Sequence, residues 1–315
     1  MNKKIAICMA TYNGEEFLKE QLDSILAQTN EDWMLFIRDD NSTDKSLTIC
    51  KEYAEKFSDK IVLIRDSISC GSAEKNFLTI MDYLKNNHTE RYSYYMFSDQ
   101  DDYWHKNKIE LSLSKMLSME KKYSNKPLLV HTDLNVVDKY RNIISNSFFN
   151  YRKLNSSITE LNRLLIQNNV TGCTMMWNLN LFEMVDTSVP VAMHDWWLTL
   201  IASCFGHIGF ITQSTIDYRQ HGGNVVGATK VNTISFIFYR LFINNNIKYT
   251  LCLAVEQAQS FLLEYGDNIS NENYNIIYNF SKLKELNKLN KINLILKNKY
   301  LKQGLVQQIG ELFFI

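Results

Sequence analysis

Short apolar runs alternate with amphipathic segments over the first hundred residues. Four runs are rich in β-branched and aromatic residues, as buried strands are: "KIAICMA" (4–10), "WMLFIR" (33–38), "IVLIRD" (61–66) and "YSYYMFSD" (92–99). Between them, apolar residues recur at helical spacing, and Asn13 with Glu16 resembles the capping box that starts a helix. This alternation predicts an α/β fold with a mostly parallel central sheet, right-handed crossovers and flanking helices.

The pattern changes in the second half of the chain. From about residue 128 strands and helices follow less regularly, and "DWWLTLIASCFG" predicts a helix closed by Gly206. Beyond residue 230 leucine, asparagine and lysine recur at helical spacing, and residues 281–302 hold seven lysines and one glutamate. We therefore expect a catalytic α/β domain over residues 1–230 and a helical C-terminal region over residues 231–315.

Length, composition and charge exclude several classes of protein. A chain of 315 residues that is 45% hydrophobic can bury a large core. Its 34 basic residues balance its 34 acidic residues, so no overall positive field favours nucleic acid as a partner. Residues 231–315 carry nine basic and six acidic residues, a net +3, which leaves −3 on the first 230 residues.

The cysteines and the apolar runs predict a cytoplasmic protein. Six cysteines are scattered without a CxxC pair, which argues against a zinc site and a disulfide framework and for reduced thiols. The apolar run near the N-terminus is too short for a signal peptide. No apolar run approaches the ~20 residues that cross a bilayer.

Three polar clusters follow predicted strands directly. They are "TYNG" (11–14), "RDDNSTD" (38–44) and "SDQDD" (98–102). In parallel sheets, ligands bind beyond the carboxyl ends of the strands. We therefore expect these clusters to meet in one site.

The third cluster places Asp99, Asp101 and Asp102 within four residues. Such carboxylates repel one another unless a cation neutralises them, and oxygen ligands favour Mg²⁺ or Mn²⁺. An EF-hand loop does not fit, because Tyr103 and Trp104 stand where an oxygen ligand and a glycine are needed. A solvated acidic turn is the remaining alternative, against which the preceding aromatic strand counts.

Six stretches in order resemble the glycosyltransferase family 2 enzymes of the GT-A fold, which transfer sugars from nucleotide diphosphates with inversion. They are "ATYNGEEFLKEQLDSILAQT", "IRDDNSTDKS", "MFSDQDDYW", "VTGCTMMW", "MHDWWLTLIA" and "YRQHGGNVVG", all within the first 230 residues. More narrowly, the sequence is similar to bacterial rhamnosyltransferases that build cell-wall and capsular polysaccharides.

The resemblance implies a nucleotide-sugar site. The residues that it assigns to the donor are Thr11, Tyr12, Asn13, Glu15, Asp39, Asp40, Asp99, Gln100, Asp101 and Arg219. Either Asp39 or Asp40 would accept the N3–H of uracil or thymine, since a carboxylate only accepts; capping of a helix is the alternative for residues 39–44.

The resemblance also implies a divalent ion, Mn²⁺ or Mg²⁺. Asp101 would bind the ion and Asp99 would lie nearer the ribose. His221 would complete the metal shell or contact the diphosphate, while Arg219 would offset phosphate charge. A purely structural histidine is the alternative. Gly222 and Gly223 beside His221 favour a mobile lid.

Asp195 matches the catalytic base of the family. An inverting transfer needs a carboxylate that takes the proton of the acceptor hydroxyl. The alternative is an aspartate that caps a helix in front of buried aromatic residues. On the acceptor side, Gly172 would let a sugar approach the backbone and Trp196 or Trp197 would stack on it, with core packing as an equally good account of the tryptophans.

The resemblance implies a metal-dependent inverting glycosyltransferase that moves L-rhamnose from dTDP-L-rhamnose onto a growing, lipid-linked cell-surface glycan. The alternatives are a UDP-hexose donor, a nucleotidyltransferase and a non-catalytic glycan-binding subunit. A nucleotidyltransferase would need a glycine-rich, basic phosphate loop after the first strand, and "ATYNGEEF" lacks one. The lysine-rich C-terminal helix is expected at the inner face of the membrane, at a homodimer contact, or in solvent.

Overall fold

One mixed sheet organises the computed structural model, which describes residues 5–66, 68–87, 92–221 and 246–314. Nine strands of these residues form it: β1 (Ile5–Thr11), β2 (Trp33–Asp39), β3 (Ile61–Ile64), β4 (Tyr94–Ser98), β5 (Tyr103–Trp104), β6 (Leu128–Val137), β7 (Ile143–Ser145), β8 (Met176–Asn178) and β9 (His207–Arg219). Their order is β3-β2-β1-β4-β8-β6-β9-β5, and β7 pairs with β6.

The predicted parallel sheet is confirmed for the first four strands. β1 pairs in parallel with both β2 and β4, and β2 pairs in parallel with β3. β8 then runs antiparallel between β4 and β6, while β6 and β9 are parallel. β1 is almost wholly buried, as expected for a strand that helices cover on both faces. The α/β fold class predicted from the sequence is therefore confirmed.

Helices follow the strands as the apolar spacing predicted. Twelve lie in the described ranges: α1 (Leu18–Leu26), α2 (Ser46–Lys56), α3 (Ala73–Asn87), α4 (Lys108–Lys122), α5 (Phe148–Arg152), α6 (Leu161–Ile166), α7 (Leu179–Met184), α8 (His194–Phe205), α9 (Asn246–Tyr265), α10 (Asn271–Ser281), α11 (Lys288–Asn298) and α12 (Leu305–Phe314). Leu18, Leu22 and Ile25 form the buried face of α1. The predicted capping box is wrong, because Phe17 precedes the first residue of α1 and no side chain caps it.

The described residues form two compact units. The first contains the residues up to 148 together with 171–187 and 207–221, and so includes the whole sheet. The second joins residues 149–170 and 188–206 to the C-terminal helices, because α6 packs against α8, α9 and α10. The boundary predicted at residue 230 itself lies outside the described residues.

No helix in the described ranges combines the length and the apolar character that crossing a bilayer requires.

Helix α12 packs into the second unit through polar side chains. Glu311 is 1% exposed, and its Oε2 accepts the backbone N–H of Lys302 at 3.0 Å. Burial raises the pKa of Glu311 to about 7, although the Lys302 N–H and the positive charges of Lys302 and Arg163 act in the opposite direction. The folded protein therefore holds a carboxyl group that resists ionisation.

We expect Glu311→Gln to stabilise the protein in a pH-dependent way. A folded-state pKa raised from 4.5 to about 7 means that this group favours folding fully below pH 4.5 and loses that contribution as the pH rises through 7. The variant should match the wild type near pH 4.5 and be about 3 kcal/mol more stable at pH 8. Urea unfolding at the two pH values measures the difference. The control is Glu264→Gln on exposed surface; a Glu311→Gln effect equal at both pH values would contradict the assignment.

Candidate functional site

Three loops leave the sheet side by side. Thr11 at the end of β1 pairs with Asp39 at the end of β2, and Met9 pairs with Ser98 at the end of β4. The polar clusters that follow these strands therefore lie at one edge of the sheet, at the carboxyl ends of parallel strands. The predicted convergence of the three clusters is confirmed.

The loops after β1 and β2 are joined by side-chain hydrogen bonds. Oδ1 of Asn13 accepts the backbone N–H of Thr43 at 2.8 Å, and Oε2 of Glu15 accepts that of Lys45 at 2.8 Å. Asn13 has a φ of 47°, a left-handed conformation that asparagine tolerates. Asn13 and Glu15 thus hold the first loop against the start of α2, and their contact with a nucleotide stays a prediction.

The structure distinguishes the two adjacent aspartates that the sequence left open. Both carboxylate oxygens of Asp40 are engaged, since Oδ1 accepts the N–H of Cys70 at 2.6 Å and Oδ2 accepts that of Gly71 at 2.8 Å. These contacts, with Arg38, outweigh the effect of burial and lower the pKa of Asp40. Asp40 is 5% exposed and anchors a loop, and its role in base recognition stays a prediction.

Asp39 is partly exposed at the same edge. Its Oδ1 accepts the hydroxyls of Thr11 at 3.0 Å and Ser42 at 2.6 Å, and its Oδ2 accepts the backbone N–H of Ser42 at 2.9 Å. Thr11 is itself buried, so this contact holds the carboxylate from the protein interior. A carboxylate has about four lone-pair sites, and the arrangement leaves Asp39 with accepting capacity.

Gln100 joins the loop after β4 to the loop after β1. Its Oε1 accepts the N–H of Tyr12 at 2.9 Å, and its Nε2 donates to the carbonyl oxygen of Tyr12 at 2.9 Å. The sequence predicted that Gln100 contacts the nucleotide-sugar. In the structure its side-chain amide makes two hydrogen bonds with the backbone of Tyr12 instead. The ring of Tyr12 is 56% exposed beside this bond and is free to stack on a planar base.

We expect Gln100→Ala to weaken nucleoside diphosphate binding about tenfold, because the backbone of Tyr12 loses both hydrogen bonds. Gly14→Ala should have a similar effect, since a Cβ at Gly14 would lie 2.3 Å from Oε1 of Gln100 and displace that amide. Calorimetric titration with dTDP measures both. The double variant should be no weaker than either single variant. Full additivity of the two losses would show that Gly14 and Gln100 act independently.

Asp101 and His221 form the accessible pair of candidate metal ligands. Nε2 of His221 lies 2.7 Å from Oδ2 of Asp101, and both side chains are largely but not fully buried. The ring of Phe17 packs against the imidazole at 4.8 Å. One carboxylate oxygen and one ring nitrogen thus face each other at the sheet edge, and Asp99 lies two residues away. These donors suit a divalent ion, and the imidazole favours Mn²⁺ over Mg²⁺.

The side chain of Arg219 is hydrogen-bonded to other groups of the protein. It is 2% exposed, and its guanidinium donates to the carbonyl oxygens of Asp101 at 2.9 Å and Lys139 at 2.7 Å, and to the carboxylate of Glu20. These bonds fix the loop that carries Asp101. The predicted contact of Arg219 with phosphate therefore stays a prediction, and positioning Asp101 is the role that its contacts support.

Beneath the acidic loop lies a fully buried group that the sequence did not predict. Asp102 accepts the backbone N–H of Arg219 with Oδ1 at 3.3 Å, and its carboxyl group also interacts with the thiol of Cys173. Lys108 is also fully buried, with Nζ 4.7 Å from the centre of the Trp104 ring. Burial and the neighbouring aspartates raise the pKa of Asp102, and burial lowers the pKa of Lys108 to about 8.

Cys173 completes this buried group. Ligand atoms of Asp99, Asp102 and Cys173 lie within 4.8 Å of one another, a spacing that could hold a metal ion. The positive charge of Lys108 acts on both Asp102 and Cys173, so the group already contains a cation that offsets its negative charge. The described residues thus hold two candidate metal sites, the interior group and the accessible pair of Asp101 and His221, and metal binding by the accessible pair stays a prediction.

The predicted catalytic and acceptor residues fall mainly in the second unit. Asp195 is the second residue of α8 and is partly exposed. Trp197 is fully buried, and its ring packs against Phe261 at 5.3 Å, while Nε1 of Trp196 donates to the carbonyl oxygen of Leu164 at 2.6 Å. The core-packing alternative accounts for both tryptophans, and sugar stacking on them is not supported.

The remaining predicted positions lie elsewhere. Gly172 is in the first unit, where it begins a buried 3₁₀ turn (Gly172–Thr174) in front of β8. Its approach to an acceptor sugar stays a prediction. Gly222 and Gly223, expected to form a lid, lie outside the described residues.

Comparisons with known proteins agree on one family. Residues 6–185 match the model of Glycosyl transferase family 2. The dTDP-rhamnosyl transferase RfbG of Shigella flexneri is 31% identical over 232 residues, which are 70% of this chain and 74% of that protein. The poly(ribitol-phosphate) beta-glucosyltransferase of Bacillus spizizenii is 37% identical over 103 residues, or 32% and 15% of the two chains.

Solved structures show the same fold. S. aureus TarS 1–349 in complex with UDP-GlcNAc aligns with a TM-score of 0.55 at 14% sequence identity. The alignment covers 99% of this chain and 89% of that chain. At this identity the likeness concerns the fold, and it agrees with the predicted GT-A architecture.

Proposed function

The chain belongs to glycosyl transferase family 2, and from this premise we propose that it is a metal-dependent inverting glycosyltransferase. The donor is dTDP-L-rhamnose, and the acceptor is a growing cell-surface glycan on a lipid carrier. The relative named as a dTDP-rhamnosyl transferase supports this choice of donor.

One observation carries the proposal. Asp39 ends β2 and Asp101 follows β4, so both lie at the edge where the parallel strands β1, β2 and β4 end. His221, which follows β9, joins them there through its hydrogen bond with Asp101. In such sheets this edge is where nucleotides bind. A carboxylate for the base and a carboxylate with an imidazole for a diphosphate-bound ion are the two recognition elements that a nucleotide-sugar needs.

Different residues of the first unit bind different parts of the nucleotide-sugar donor. Asp39 accepts the imide N3–H of the pyrimidine, while its contact with Thr11 fixes its orientation. The exposed ring of Tyr12 stacks on the base. Because uracil and thymine share the imide, these two residues select a pyrimidine, and the choice of sugar depends on other contacts.

Asp101 and His221 would hold the divalent ion, and Asp99 would lie beside the ribose. When bound, the ion stabilises the negative charge of the departing nucleoside diphosphate. Arg219 and Gln100 act indirectly, by positioning other residues. Arg219 fixes the backbone of Asp101, and Gln100 fixes that of Tyr12.

Asp195 is the catalytic base. Its position in the first turn of α8 anchors its backbone in a helix whose following residues, including Trp196 and Trp197, are buried. The carboxylate takes the proton of the acceptor hydroxyl as that oxygen attacks the anomeric carbon from the side opposite the diphosphate. Inversion follows from this single displacement, and no glycosyl-enzyme intermediate forms.

A thermal-shift screen tests the donor. Unfolding temperature is measured with dTDP-L-rhamnose, dTDP-glucose, UDP-glucose and UDP-N-acetylglucosamine, each with Mn²⁺ and with EDTA. A ligand that binds the folded state raises this temperature by mass action. We expect the largest increase with dTDP-L-rhamnose and Mn²⁺, and its loss with EDTA.

The outcomes separate the alternatives. A larger shift with a UDP-sugar would replace the rhamnose donor while keeping the site. A shift without any donor hydrolysis or transfer over long incubation would favour a non-catalytic glycan-binding subunit. NMR of the product sugar then reports the anomeric configuration, and retention would contradict the single displacement.

A further inference from the structure

The last helix exposes its apolar side and buries its polar side. Leu305, Ile309 and Phe313 are 73%, 57% and 65% exposed. They stand four residues apart and therefore form one stripe along α12. Gln307 and Glu311, on the inward side, are 7% and 1% exposed. A surface helix normally has the reverse arrangement, so this stripe is suited to a partner.

Hydrogen bonds hold α12 in this orientation. Glu311 accepts the backbone N–H of Lys302 at 3.0 Å, and Nε2 of Gln308 donates to the carbonyl oxygen of Lys302 at 2.9 Å. Nε2 of Gln167 lies 3.4 Å from Oε1 of Gln307. A rotation that buried the stripe would break these bonds and expose the polar side, so the apolar side is fixed outward.

Helix α11 adds positive charge beside the stripe. Nζ of Lys288 donates to the carbonyl oxygen of Phe313 at 2.8 Å and lies 5.5 Å from the centre of its ring. α11 also carries exposed Leu289 and Leu296 among its lysines. Between residues 286 and 310 the sequence has five lysines and no acidic residue. Apart from the buried Glu311, every charged residue of α11 and α12 is a lysine. Exposed apolar side chains beside lysines suit the interface of an anionic bilayer.

We propose that α11 and α12 form a docking surface for an anionic lipid bilayer. Leu305, Ile309 and Phe313 enter the boundary between head groups and acyl chains, while the lysines of α11 contact the phosphates. A second copy of the chain is the less favoured occupant, because a two-fold contact would set this lysine-rich surface against itself. Binding of this surface to a bilayer needs no nucleotide-sugar, so it can be tested separately from the sugar-transfer activity.

Vesicle sedimentation of the full chain tests the surface. We expect binding to vesicles of phosphatidylglycerol and phosphatidylcholine, weakened by salt, and little binding to phosphatidylcholine alone. Replacing Lys288, Lys291 and Lys297 by Gln should lower the partition coefficient about a hundredfold, at about fivefold for each lysine. Ile309→Glu should lower the partition coefficient about tenfold or more, since a charge replaces an apolar side chain that enters the bilayer.

Matched variants in the first unit serve as controls. Ile143→Glu changes an equally exposed apolar residue, and replacing Lys51, Lys121 and Lys122 by Gln removes the same charge from exposed surface. Both should bind vesicles like the wild type. Equal loss in the controls, absence of vesicle binding, or equal binding to neutral vesicles would overturn the proposal. So would lipid-free dimerisation that Ile309→Glu abolishes, since the occupant would then be a second copy.

Discussion

We expect Asp101→Asn to abolish the Mn²⁺-dependent part of dTDP binding and to lower transfer on the order of a thousandfold. The amide is a neutral and weaker ligand, and it also ends the charge-assisted contact with His221, which lies 2.7 Å away in the wild type. Calorimetry of dTDP with Mn²⁺ and with EDTA measures the binding loss. In EDTA the variant and the wild type should bind dTDP alike, because Asp39 and Tyr12 are unchanged.

His221→Ala provides the second arm of this experiment. If Asp101 and His221 share one ion, each single variant should lose most of the Mn²⁺ effect and the double variant little more. Asp59→Asn, which removes an exposed carboxylate of the first unit, is the control for charge alone. Wild-type affinity for dTDP with Mn²⁺ in Asp101→Asn would refute this metal site and direct attention to Asp99, Asp102 and Cys173.

Asp195→Asn separates catalysis from binding. We expect transfer to fall about a thousandfold, since a general base contributes roughly 10² to 10⁴ and an amide cannot take the acceptor proton. Donor and Mn²⁺ affinities should stay within about twofold of the wild type, because the proposed ligands of both lie in the first unit. Single-turnover transfer assays and calorimetry on the same preparation measure the two quantities.

The control for Asp195 is Asp267→Asn, an exposed carboxylate of the second unit. Unfolding temperature identifies any variant that fails to fold. Transfer by Asp195→Asn at the wild-type rate would remove this residue from the mechanism and leave it as an acidic residue in the first turn of α8, whose N-cap is Met193. Loss of donor binding together with transfer would place Asp195 among the donor contacts instead.

The sequence predicted the α/β layout because its signals are local. A buried parallel strand is a short continuous apolar run, and each following helix shows its buried face in the spacing of apolar residues. The central strands β1, β2 and β4 and helix α1 follow this logic directly. The antiparallel insertion of β8 between β4 and β6 depends on contacts distant in sequence, and no local pattern predicts it.

The position of the candidate site was equally predictable, but the roles of neighbouring residues were not. Asp39 and Asp40 are equivalent as sequence letters, yet successive residues of a strand point to opposite sides. Arg38 and Asp40 are two residues apart and pair at 3.3 Å, which turns Asp40 inward. The arginine at this spacing is a signal that could have favoured Asp39 beforehand.

The sequence placed Asp99 and Asp102 in an acidic cluster, but it did not predict that Lys108 and Cys173 join Asp102 in the interior. Lys108 opens a helix with a polar neighbour on its N-terminal side, a setting in which lysine is normally solvated. Its burial depends on Trp104 and on the placement of Cys173, a residue 65 positions further along the chain. Trp196 and Trp197 show the opposite case. Their side chains suit sugar stacking, but they are buried in the core of the second unit.

The close approach of Gly14 to Gln100 also constrains how this protein can change over evolutionary time. A side chain at position 14 is compatible with the present loops only if position 100 shortens or turns away. A side chain at position 14 should therefore appear in descendants only where position 100 has also changed, whereas position 100 can change alone. The order of substitutions at two positions 86 residues apart is thus restricted by one close approach in space.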